Sequence, residues 1–311
     1  DIGGMIERAA WPLMGGLATV LVVASLVGQI LRVVVAHRQA HPLIDNLNRR
    51  IAAWWVIVSV FGLAVLAGQA GITLLFALAS FAALREFIMA GRPVGAPRGR
   101  LLAGMLLAIA LQYALAASGE ALLFALGLPS VLLVGVVAGR RRASCAANAR
   151  QAPLASGLLI CVYAISHIPA LLALPSTDGP GKVYLLAFLI VVVQASDVLQ
   201  YVWGKLVGRR PIAPRISPGK TLAGTLGGIL SASLLGACLS SLTPFAPGKA
   251  ALLALLITLL GFAGSLFLSA SKRQRGIKDW GSLLPGHGGM LDRLDSLWLP
   301  APVYYYLLRA L

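Results

Sequence analysis

Apolar runs long enough to cross a lipid bilayer recur along this 311-residue chain, with only short polar connections between them. The hydrocarbon core of a membrane offers no water to an unpaired backbone amide, so a spanning segment must be a helix or part of a closed barrel. The runs are continuous rather than alternating, which selects helices. Ten are read, near 11–36, 52–69, 71–90, 101–117, 121–138, 154–174, 183–204, 221–242, 250–270 and 296–310. Gly68-Gln69-Ala70-Gly71 and Ser118-Gly119-Glu120 read as tight hairpins between neighbouring spans. Composition agrees: 12% of residues are charged, against about 25% in a soluble domain. The expected fold is all-α, a polytopic integral membrane protein of about ten transmembrane helices. Its N-terminal transmembrane region, residues 1–150, holds about five spans, and residues 151–311 form a C-terminal region that carries the chemistry. The first run is too long for a signal-peptide core and shows no obvious cleavage site. Cys145, Cys161 and Cys238 lack paired spacing and read as small core residues, so neither a disulfide framework nor a zinc site is indicated.

Charge placement orients the chain. The loops 37–50, 91–100, 139–153, 205–220 and 271–295 hold most of the 26 Lys and Arg residues. With ten spans these five loops fall on one face, and Arg8, Lys182, Lys249 and Arg309 on the other. An excess of cations marks the cytoplasmic side, so both termini are expected outside. The formal net charge of +16 then needs no nucleic acid. In the first three loops the cations set topology and meet anionic lipid head groups.

The last two basic loops differ, because they also hold acids and glycines. Asp197 lies inside an apolar span, where a carboxylate is expensive unless it faces a wet cavity, a cation or a metal. Gln200, Tyr201, Gly204 and Lys205 share its helix face. A structural interhelical bond is the alternative reading of that acid. Ser217-Pro218-Gly219-Lys220-Thr221 precedes the eighth span. It reads equally as a phosphate site, with Lys220 and the hydroxyls of Ser217 and Thr221 as donors, or as an N-cap with a flanking lysine. Pro214 stands where a Walker A loop needs its first glycine, which excludes that motif.

Residues 269–295 are the densest in chemistry. Lys272, Arg273, Arg275, Lys278, Asp279, His287, Asp292, Arg293 and Asp295 occur there between two apolar runs, around a turn containing Gly288 and Gly289. Asp292 and Asp295 fall on one face of a helix starting near Gly289. Paired hard oxygen ligands suit Mg²⁺, and acids at a helix start also serve as caps. His287 reads equally as a phosphate donor or a turn residue. Clustered cations, paired acids and close-approach glycines at a membrane surface point to polyphosphate and divalent-metal chemistry on a lipid.

The series Ser269-x-x-Lys272-Arg273, Lys278-Asp279-x-Gly281, Leu284-Pro285-x-His287-Gly288-Gly289-Met290-x-Asp292-Arg293-Leu294-Asp295 resembles the signature of CDP-diacylglycerol synthases, the phosphatidate cytidylyltransferases. Ser217-Pro218-Gly219-Lys220-Thr221 and the upstream Asp197 match further landmarks in the same order. The chain departs from the family pattern at Ser271, Leu222 and Ala223, which marks a divergent branch. The resemblance implies a multi-pass enzyme of the bacterial cytoplasmic membrane, with its active site on the cytoplasmic side. It also implies a homodimer that uses CTP and Mg²⁺, alone or with a second cation such as K⁺, to convert phosphatidic acid to CDP-diacylglycerol and pyrophosphate. On that resemblance Asp197, Asp292 and Asp279 hold the metal. Lys220, Lys272, Arg273 and Lys278 take the triphosphate, His287 assists, and Asp295 is a supporting group that orients Arg293. Ser217, Thr221, Gly288, Gly289 and Arg293 line the substrate. Asp292→Asn is expected to abolish turnover in a protein that still folds. The alternatives are a CTP-dependent lipid kinase, a cytidylyltransferase for another lipid phosphate, and a catalytically degenerate relative.

Overall fold

The computed structural model describes residues 2–34, 42–90, 98–142, 154–175, 179–283 and 288–311. Each of the ten expected spans coincides with a helix. They are α1 (Ile2–Val34), α2 (Pro42–Leu66), α3 (Gly68–Met89), α4 (Arg98–Ser118), α5 (Ala121–Arg142), α6 (Leu154–Ala173), α7 (Gly179–Leu206), α8 (Leu222–Cys238), α9 (Pro247–Gln274) and, after the one-turn α10 (Leu291–Leu294), α11 (Pro300–Ala310). Five are long and apolar enough to cross a membrane: Met14–Val34 of α1, α3, α6, Gly181–Leu206 of α7, and α9. In four more, α2, α4, α5 and α8, the apolar stretch is shorter (Ile51–Leu66, Leu102–Ser118, Ala121–Leu133 and Leu222–Cys238), and α11 has 11 residues. The protein is therefore a helical membrane protein.

Burial follows the order of packing rather than the order of hydropathy. In α1 the valines and leucines of 20–34 stay largely exposed, as lipid-facing residues should. By contrast α6 is the most enclosed of the five spanning helices, and Ile160, Cys161, Val162, Ile165 and Ile168 on it are buried. It departs from α geometry twice, with a π segment at Leu158–Ala164 and a 3₁₀ turn at Leu171–Ala173. Around it pack α3, α4, α11 and the buried first half of α7. Water does not drive association between helices in lipid, so close contact and polar bonds hold them instead. Gly228 shows this at the α7–α8 contact, where an added Cβ would stand 2.5 Å from the backbone nitrogen of Gln200. Ser80, Tyr113 and the carbonyl of Phe76 supply polar bonds between α3 and α4, at 2.6 and 2.8 Å.

Both expected hairpins form. The first is tighter than read, since α3 resumes at Gly68 directly after Ala67. At that end of the bundle Gln69 donates to the carbonyl of Ala117, and a Cβ on Gly119 would stand 3.7 Å from the carbonyl of Ala173. The C-terminal ends of α3, α7 and α9 meet at a different place, which carries the candidate site.

An all-α expectation misses one element there. Pro211–Ala213 (β1) and Ser217–Thr221 (β2) form an antiparallel hairpin. Pro214 and Arg215 occupy its turn, closed by Ile216 N–H donating to the carbonyl of Ala213 at 3.1 Å. Proline fixes the backbone angle a turn needs at that position.

Candidate active site

Helix α9 ends where glycine allows it to. Gly276 has φ +71°, its N–H donates to the carbonyl of Arg273, and Ile277 N–H donates to that of Lys272. This is a Schellman cap, and it turns the chain sharply into residues 277–291. Two carboxylates then close that loop. Asp292 Oδ2 accepts the N–H groups of Trp280 and Gly289, both at 2.9 Å. Its Oδ1 pairs with Lys272 Nζ at 2.8 Å, the two side chains being 6% and 11% exposed. The second carboxylate comes from α3. Glu86 accepts Met290 N–H and Leu291 N–H, both at 2.9 Å. Gly289 has no room for a side chain, since a Cβ would stand 2.4 Å from Glu86 Oε2 and 2.7 Å from the nitrogen of Gly281.

Arg275 adds a third anchor. Its guanidinium lies over the rings of Phe87 and Trp280, at 4.0 and 4.9 Å, and donates to the carbonyl of Phe87 at 2.7 Å. The two rings stack at 5.1 Å. The exposed Arg273 donates through Nε to the carbonyl of Ile216 at 3.1 Å, which ties the hairpin to α9.

Beneath the loop lies a second polar group. Ser296 Oγ donates to Asp197 Oδ2 at 2.5 Å and lies 3.4 Å from Asp295 Oδ1. Lys220 bonds to the hydroxyl of Ser265 on α9 and lies 4.8 Å from the centre of the Phe262 ring. Lys220 is within electrostatic reach of Asp295, Asp197 and Lys272. Burial, reinforced by Asp197, pushes the Asp295 carboxyl up to about 7, against the pull of Lys220 and Lys272. Burial also lowers the pKa of Lys220, while Asp295 and Asp197 hold it up. Arg293 acts electrostatically on Asp197, and its Nε is buried with no acceptor among the described residues.

The candidate residues thus divide. Asp197, Lys220, Asp295 and Ser296 come together, with Lys272 of α9 and Asp292 of α10 within electrostatic reach of Asp295. Lys278 and Asp279 are exposed and have no bonding partner among the described residues. His287 lies outside the described residues, while Gly288 is present with φ +79°. Thr221 acts as the N-cap of α8, its Oγ1 accepting Gly224 N–H at 3.1 Å. Ser217 pairs with Ala213 across the hairpin, and Gly219 borders open space. The polar face expected along α7 splits. Gln200 bonds to Ser196 at 2.9 Å, whereas Lys205 lies over the exposed Tyr201 ring at 5.8 Å.

A family model described as the cytidylyltransferase family matches residues 48–311, a stretch that contains all of these side chains. The chain belongs to the cytidylyltransferase family. It is similar over almost its whole length to the uncharacterized protein YnbB of Escherichia coli K12: 36% identical over 321 aligned positions, 98% of this chain and 99% of YnbB. Shorter matches join it to the phosphatidate cytidylyltransferases of Brucella abortus and Mycobacterium leprae. The first is 42% identical over 136 residues, covering 43% of this chain and 50% of the relative; the second is 40% identical over 165 residues, covering 52% and 51%. The chain thus spans about half the length of those two enzymes.

In this member of the cytidylyltransferase family the structure does not bring Asp197, Asp292 and Asp279 together as one group. Among the described residues no group of three or more His, Cys, Asp or Glu side chains gathers at one point. The reason is local: Asp292 is committed to Lys272 and two amides, and Asp279 is exposed. The pair that does converge is Asp197 and Asp295, both next to the hydroxyl of Ser296. Two partly buried carboxylates sharing one hydroxyl neighbour repel each other, and their hard oxygens fit a divalent cation such as Mg²⁺.

Sequence reasoning assigned no role to Glu86, Arg275, Ser265 or Ser296. Glu86 reads as an ordinary acid at a span end, and Ser265 and Ser296 as small residues. Only the fold reveals their partners.

Proposed function

We propose that this protein transfers the cytidylyl group of CTP to a lipid phosphate at the cytoplasmic face of the bacterial inner membrane, with phosphatidic acid as acceptor and pyrophosphate as leaving group. The observation that carries the reading is the partly buried Asp197–Asp295–Ser296–Lys220 group beside the cationic end of α9, at one end of a membrane bundle. A lipid phosphate oxygen attacks the α-phosphorus of CTP in line, the bond to the β-phosphate oxygen breaks, and pyrophosphate departs. The attacking oxygen is already anionic, so no strong general base is required. The difficulty is bringing two polyanions together, and positioned cations relieve it.

Asp197 and Asp295 would hold Mg²⁺, alone or with a second cation. When bound, it would neutralise charge on the phosphates and the departing pyrophosphate. Lys220 is held by Ser265 beside those carboxylates and meets the phosphates from the α9 side. Arg273 and Lys278, exposed on the aqueous side, receive the incoming triphosphate with His287. Arg293 brings to the same region a buried donor that has no acceptor among the described residues. Lys272 acts at one remove, since its charge is paired with Asp292 and holds the loop.

The test is turnover in mixed micelles of detergent and phosphatidate with CTP labelled in the cytosine. Mg²⁺-dependent label in the lipid with stoichiometric pyrophosphate supports the reading. Phosphate transfer with release of CDP would replace it with a lipid kinase. Transfer only to another lipid phosphate would move the acceptor.

A further inference from the structure

The loop at 277–291 is fastened from outside the region that carries the motifs. Glu86 is the last acid of α3, in the N-terminal half of the chain, and it accepts two consecutive amides at 2.9 Å each. Its carboxylate fills the space left by two glycines: a Cβ on Gly281 would stand 2.6 Å from Oε1, and one on Gly289 2.4 Å from Oε2. The neighbouring turn of α3 holds the other end of the loop, through Phe87 against Arg275 and Trp280. A single helix end therefore touches the chain at Arg275 and Trp280, just before and after Lys278 and Asp279, and again at Met290 and Leu291.

We infer that Glu86 is a positioning residue that fixes this loop and thereby sets the affinity for the nucleotide. The inference rests on the cytidylyl-transfer reading for the identity of that nucleotide. Its direction follows from geometry. CTP arrives from water, where Lys278 and Asp279 are exposed, whereas a lipid acceptor arrives from the bilayer beside α7 and α9. Loosening the loop weakens the first encounter and leaves the second largely intact. Gln at this position keeps the shape, but its amide nitrogen opposes one of the two backbone donors. The loss of one hydrogen bond to a charged acceptor corresponds to about a tenfold change in affinity.

The experiment compares wild type, Glu86→Gln and Glu86→Ala in detergent, each first checked for a wild-type elution profile. Two quantities are read: KM for CTP beside KM for the lipid, and amide exchange in the peptide spanning 280–291 without substrate. The expected result for Glu86→Gln is faster exchange at 289–291, KM for CTP up about tenfold, and KM for the lipid within twofold. Glu86→Ala exceeds it in both readouts. Unchanged exchange overturns the inference. So does faster exchange with unaltered KM for CTP, or a fall in kcat alone, which is the mark of a smaller folded fraction. If the wild type binds CTP but transfers nothing, the functional reading fails separately, and the dissociation constant for CTP replaces KM. If it binds no CTP, both fail.

Discussion

Replacing Asp292 by Asn tests the loop architecture most directly. Asparagine preserves the volume, and its single carbonyl oxygen can still accept from Trp280 N–H and Gly289 N–H. Its amide nitrogen then faces Lys272 Nζ, where Oδ1 now stands at 2.8 Å. Donor meets donor, and a lysine whose side chain is 11% exposed loses its counter-ion. Removing one partner of a buried pair costs about 3–5 kcal/mol, because the other charge is left uncompensated. Lys272→Met should cost less, since Asp292 keeps two amides. The double variant Lys272→Met/Asp292→Asn should be more stable than the sum of the single losses predicts, as no lone charge remains. Reversible unfolding in mixed micelles measures the three differences, and amide exchange at Trp280 and Gly289 localises them. Turnover should stay absent in the double variant even where stability recovers. An Asp292→Asn protein with wild-type stability and unchanged exchange at those two amides would refute the reasoning.

Asp295 gives a pH dependence. Its carboxyl titrates near 7 when folded, against 3.8 ordinarily. The native state therefore holds the extra proton between those values, and stability falls as pH rises through that window, then levels off. In chelator-containing buffer, unfolding followed from pH 4 to pH 8 should show this slope, and Asp295→Asn should flatten it. Gly289→Ala should displace the loop, because its Cβ would meet Glu86 Oε2 at 2.4 Å, whereas Gly219→Ala has nothing within 4 Å. Melting temperatures should drop for the first and stay near wild type for the second.

Continuous apolar runs specify helices almost unaided in lipid, since no other backbone arrangement satisfies its amides there. That is why every expected span falls on a helix and both glycine hairpins form. The short β-hairpin escaped because five residues of Ser-Pro-Gly-Lys-Thr carry no alternating pattern, and its pairing depends on a turn at Pro214. At the site, residue types were legible and roles were not. Asp292 and Asp295 are three apart and chemically identical in sequence. Only the path of the loop turns Asp292 toward Lys272 and sends Asp295 toward Asp197. Glu86 is some two hundred positions from the amides it holds, beyond the reach of any local pattern.

The double clip of the loop also bears on how it can meet a triphosphate. The N–H groups of Trp280, Gly289, Met290 and Leu291 all point at carboxylates already. Glycine-rich phosphate loops cradle anions with their main chain, but these four amides have none to spare. Here the glycines make room for a carboxylate rather than for a ligand. On the proposed function, anion recognition would then fall to long, flexible cations such as Arg273 and Lys278, whose grip is sensitive to ionic strength and to which nitrogen-bearing side chain is present.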